Sequence, residues 1–75
     1  GICMDKLRYY FEICFKPGSE QKDQRSEITK EEAYGTLHFY GLKDDDWKGE
    51  DICLRSSSET YFLVRTTKKL AVTIK

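Results

Sequence analysis

Thr29-Lys30-Glu31-Glu32-Ala33-Tyr34-Gly35-Thr36-Leu37-His38-Phe39-Tyr40-Gly41-Leu42 is the stretch whose periodicity fixes the fold class. Its first half carries a helix-start signal. Thr29 followed by Glu32 matches a capping box, with Ile28 and Ala33 spaced as a hydrophobic staple. Its second half alternates, with Leu37 and Phe39 separated by His38 and a glycine at each end of the run. A period of two marks a strand with one buried face. The pattern therefore predicts a short helical turn over 29–34 that yields to a strand over 34–42.

On the amino-terminal side, Leu7, Tyr9, Phe11, Ile13 and Phe15 alternate with Arg8, Tyr10, Glu12 and Cys14. This is the clearest strand signal in the chain, and it predicts a strand over 6–15. Pro17-Gly18 ends it, because Pro cannot donate to a ladder and Gly favours a turn. The following stretch, 19–32, holds Ile28 as its one apolar residue. Residues 17–33 thus read as an exposed, charged connecting loop. On the carboxyl side, 51–55, 60–66 and 70–75 read as three further strands. Ser56-Ser57-Ser58-Glu59 and Thr67-Lys68-Lys69 form the turns between them. Five short strands with turns between them predict an all-β antiparallel sandwich.

Composition narrows the function classes. The chain has 75 residues, one domain at most, with 39% hydrophobic and 35% charged residues. Thirteen basic and thirteen acidic residues cancel. No broad field then draws in nucleic acid or anionic membrane. No run of eighteen apolar residues occurs, so no transmembrane helix is expected. Gly1 in place of an initiator Met reads as the start of a fragment. The cysteines, Cys3, Cys14 and Cys53, are odd in number and lack zinc-knuckle spacing. Cys14 and Cys53 lie on strand-like runs and read as small buried hydrophobes. Cys3 is the candidate for a disulfide to an absent partner.

With the strands placed, their order resembles the first half of a PLAT domain. That β-sandwich lies at the carboxyl end of pancreatic-lipase-like enzymes. Cys3-Met4 leading into Tyr9-Tyr10-Phe11-Glu12-Ile13 looks like the entry strand of the extracellular phospholipase A1 branch. Gly35-Thr36-Leu37-His38-Phe39-Tyr40-Gly41-Leu42-Lys43 is similar to a family strand that ends in an aromatic-Gly pair. Ser57-Ser58-Glu59-Thr60-Tyr61-Phe62-Leu63-Val64 resembles the segment that returns across the sandwich, and Leu70-Ala71-Val72-Thr73-Ile74-Lys75 the next core strand. The resemblance implies a non-catalytic accessory module of a secreted, extracellular lipase or phospholipase. Such a module would hold an upstream catalytic domain at a lipid surface or a protein partner.

Candidate chemistry is sparse. His38 is the sole histidine, and no Gly-x-Ser-x-Gly elbow accompanies it, so no catalytic residue is assigned. Asp44, Asp45, Asp46, Glu50 and Asp51 are oxygen donors of the kind Ca²⁺ takes, but the EF-hand spacing is missing. They read as a solvated loop, with no metal or cofactor assigned. Trp47 in that loop suits either a core-covering lid or an interface. With Leu42 and Lys48 it forms the candidate lipid- or partner-contact loop. Phe62-Leu63-Val64-Arg65 resembles the phosphotyrosine-binding strand of a Src-homology domain, with Thr29-Lys30-Glu31-Glu32-Ala33 similar to that domain's first helix. That likeness would make Arg65 a bidentate phosphate donor; the plainer reading is a solvent-facing strand residue. The runner-up function is accordingly a protein-interaction module that binds a (phospho)peptide or adds a strand at an open sheet edge.

Overall fold

The computed structural model describes residues 6–73. They form a single four-stranded antiparallel sheet and one helix, an α+β fold and not the expected sandwich. The elements are β1 (Arg8–Phe15), β2 (Gln24–Ile28), α1 (Lys30–Phe39), β3 (Asp51–Ser56) and β4 (Glu59–Thr66). A 3₁₀ turn at Asp44–Asp46 follows the helix. The sheet order is β2-β1-β4-β3. Two hairpins thus meet along the ladder of β1 with β4, where Tyr9 faces Arg65, Phe11 faces Leu63 and Ile13 faces Tyr61.

The alternation of β1 works as the sequence predicts. Tyr9 and Phe11 share a face with Leu63 of β4, Ile28 of β2 and Ile52 of β3 through the strand registers. That face needs a cover, and α1 supplies it. Ala33 and Leu37, four residues apart, are fully buried against Tyr9, Leu63 and Trp47. One helix does the work of the missing second sheet.

The expected strand over 34–42 is overturned because both ends of a helix are encoded around it. At the start, Thr29 Oγ1 accepts from the Glu32 backbone N–H at 3.1 Å, and Glu32 Oε1 accepts from the Thr29 N–H at 3.0 Å. At the end, the N–H of Leu42 donates to the Leu37 carbonyl and that of Gly41 to the His38 carbonyl. Gly41 sits at φ +80°. This pair of bonds around a left-handed glycine is a Schellman stop, and Leu42 joins Leu37 in the core as its hydrophobic contact. Leu37 and Phe39 therefore point to different sides: Leu37 is 0% exposed and Phe39 is 82% exposed.

Two further expectations change. Within 17–33, read as a charged connection, the chain forms β2 and the first helical turn. Its charges suit an edge strand, since Arg25 pairs with Glu12 at 2.5 Å and Glu27 with Arg8 at 3.4 Å across the hairpin. The fifth strand, over 70–75, is not formed over residues 70–73; Ile74 and Lys75 lie outside the described residues. With β1 and β4 already paired on both sides, the tail crosses the face opposite the helix instead. The fully buried Tyr10 accepts from the Leu70 N–H at 3.0 Å and donates to the Lys68 carbonyl at 3.4 Å. The tail then reaches the outer edge of β2, where Thr73 N–H donates to the Arg25 carbonyl and Arg25 N–H donates to Thr73 Oγ1.

Candidate functional site

An open groove of about 510 Å³ runs between α1 and the β1–β2 side of the sheet. Phe11 and Ile28 form its floor, Phe39 and Tyr40 one wall, and Ser26 and Thr36 its polar rim. Gly35 opens onto it; a Cβ there would meet nothing within 4 Å. Local sequence explains the shape. The Schellman stop ends α1 right after Phe39, so no later turn covers that ring. The alternation of β1 raises Phe11 toward the helix.

Aromatic rings continue from the groove across the sheet. Phe39 and Tyr40 are 5.3 Å apart between centroids, Tyr40 and Tyr61 6.2 Å, and Tyr61 and Phe11 5.6 Å. The Arg55 guanidinium sits 5.7 Å over the Tyr61 ring. Tyr61 donates its hydroxyl to Glu59 Oε1 at 2.9 Å, and Ser58 donates to Oε2 at 2.7 Å. These two hydroxyls hold the Glu59 carboxyl below the usual carboxylate range, and the same bond to Glu59 pushes the Tyr61 phenol above its ordinary value. Tyr61 therefore stays neutral near pH 7. The row offers ring edges and faces for recognition, at geometry typical of aromatic pairs.

A second cluster lies at the other end of the helix and is structural. Trp47 is 2% exposed, packed among Tyr9 at 6.0 Å and Tyr34 at 5.4 Å. This corrects the contact loop expected at Leu42, Trp47 and Lys48. Trp47 is a core residue, Leu42 is half-buried against the core, and Lys48 alone of the three is exposed. The indole is clamped from above by Arg65, whose guanidinium carbon is 4.7 Å from the ring centroid. Arg65 donates to the Trp47 carbonyl at 2.7 Å, the Gly49 carbonyl at 3.1 Å and the Tyr34 hydroxyl at 2.9 Å. A phosphate grip is thereby displaced by a backbone clasp, and the solvent-facing reading of Arg65 falls too.

His38 lies exposed in the last turn of α1, its Nε2 2.6 Å from Asp44 Oδ1. Asp46 Oδ2 accepts from the Lys43 N–H at 2.8 Å, capping the 3₁₀ turn. Among the described residues no group of three or more His, Cys, Asp or Glu side chains is placed to hold a metal ion. Cys14 is half-buried and Cys53 exposed, so the buried role expected of both fails for Cys53. Burial, with Asp23 and Glu12 nearby, pushes the Cys14 thiol up from 9.0. Cys3 lies outside the described residues. No described helix is long and apolar enough to cross a membrane.

No family model, curated protein or solved structure matches the chain. The site must therefore be read from its own geometry. Sequence reasoning missed Phe39, Tyr40 and Phe11 as a group. Once 30–39 is a helix, Phe39 falls about 200° round the axis from Leu37 and off the buried stripe, which is the signal that finds it.

Proposed function

We propose that this chain is a non-catalytic protein-interaction module whose contact surface is the aromatic groove beside α1. One observation carries this reading: Phe39 stands 82% exposed at the wall of an apolar groove, next to a row of tyrosines. Aromatic side chains of this kind are the usual anchors of protein interfaces. Positioning a lipase at a lipid surface drew its support from a sandwich and an outward Trp47; an α+β sheet and a buried indole move the weight to the runner-up. Lipid is also disfavoured by the acidic run Asp44–Asp46, which follows the helix directly. Strand addition is the weaker form of the interaction reading. The β2 edge is bonded to Thr73, and β3 carries a register shift between Cys53 and Arg55, a device that discourages edge pairing.

The test is selection of a displayed random-peptide library on the full chain, with counter-selection on Phe39→Ser. Peptides that share an apolar anchor and lose about tenfold in affinity on the variant support the groove. Peptides that bind both proteins equally, or no enrichment at all, overturn it.

A further inference from the structure

We propose that the groove's occupant is a second copy of this chain, each copy placing its Phe39 in the groove of the other about a twofold axis. The inference rests on the interaction reading above and names its partner. An isologous interface needs one patch that complements itself. This patch carries both halves of the match, a projecting ring and a receiving groove, side by side on one helix turn. The open space at Gly35 lets a facing helix come close.

Charge agrees with self-pairing. Thirteen basic and thirteen acidic residues leave no net repulsion between copies. Glu32 lines the groove toward the start of α1, while Arg55 lies beside Tyr61 at the far end of the aromatic row. Two copies related by the axis with α1 antiparallel bring Glu32 of one to Arg55 of the other. A parallel arrangement would set like charges together, so the charge pattern selects the twofold one.

Sedimentation equilibrium of the full chain tests this, with circular dichroism confirming the fold of each variant. The wild type should show a concentration-dependent dimer that weakens as salt is raised. Phe39→Ser should raise the dimer Kd about tenfold or more. Gly35→Arg, whose side chain grows into open space and fills the groove, should do the same without disturbing the monomer. Arg55→Glu should raise it about threefold and remove the salt dependence. A wild type that stays monomeric up to about 1 mM, or a dimer indifferent to Phe39→Ser and Gly35→Arg, overturns the homodimer. A monomer that still binds Phe39-dependent peptides leaves the interaction reading standing while the homodimer falls.

Discussion

Replacing Arg65 with Met separates a structural clasp from a phosphate-binding group. The substitution keeps the aliphatic stem and removes the guanidinium. Three hydrogen bonds of 2.7–3.1 Å vanish, along with the cation–π contact on Trp47 at 4.7 Å. A bond from a charged donor contributes about 1.5–3 kcal/mol when buried. A cation–π contact adds about 0.5–2 kcal/mol. Arg65 is half-exposed and its contacts share one group, so the net loss is far below their sum, about 2–4 kcal/mol. At ~0.05–0.15 kcal/mol per residue, a domain of this size holds roughly 4–11 kcal/mol in all. The variant would lose a third or more of its stability. With a urea slope of about 1 kcal/mol/M, the midpoint should fall by about 2–4 M. Trp47, the one tryptophan, reports the same transition by fluorescence. Arg65→Lys should recover only part, because a point charge cannot span three acceptors. Urea midpoints for both variants within about 0.5 kcal/mol of wild type would refute the clasp.

Thr29→Ala should cost about 1 kcal/mol by removing the cap of α1, and Gly41→Ala at least as much by forcing a side chain into a left-handed turn; both are read by thermal melting. Tyr10→Phe should release the tail, seen as faster amide exchange at Leu70 and Thr73 with the β1–β4 ladder still protected. Exposed Cys53 should react with iodoacetamide well before Cys14, whose raised pKa keeps its thiolate scarce; equal rates would contradict the placement of Cys14. Glu59 has a lowered carboxyl pKa in the fold, so its contribution is present above the ordinary carboxylate range and is lost as pH falls through the folded value. Glu59→Gln should therefore flatten the acid limb of the stability–pH curve.

The strands with strong alternation or a tight turn were legible: β1, and the β3–β4 hairpin across Ser57-Ser58. Residues 30–39 were not, because Phe39 mimics a strand's inward residue. Its exposure breaks the helical stripe of Ala33 and Leu37 and leaves a false period of two. The caps held the answer, with Thr29–Glu32 at one end and Gly41 at the other. β2 was hidden for a different reason. An edge strand held by ion pairs to Glu12 and Arg8 carries little apolar signal. The groove followed the same logic, since its wall could be recognised only after the helix was drawn. Local consistency failed at the one aromatic side chain the fold leaves uncovered, where a contact surface is the natural explanation.

The seam between the hairpins has a kinetic consequence. Each hairpin closes a short loop, but Arg8 meets Thr66 only after the chain has brought together residues 58 positions apart. Zippering of β1 onto β4 is thus the slow, entropy-limited event of folding. A backbone cut in the exposed Lys48-Gly49 segment would leave two pieces able to re-anneal along that ladder. In concentrated refolding, the same seam is where one molecule's front hairpin would capture another's rear hairpin.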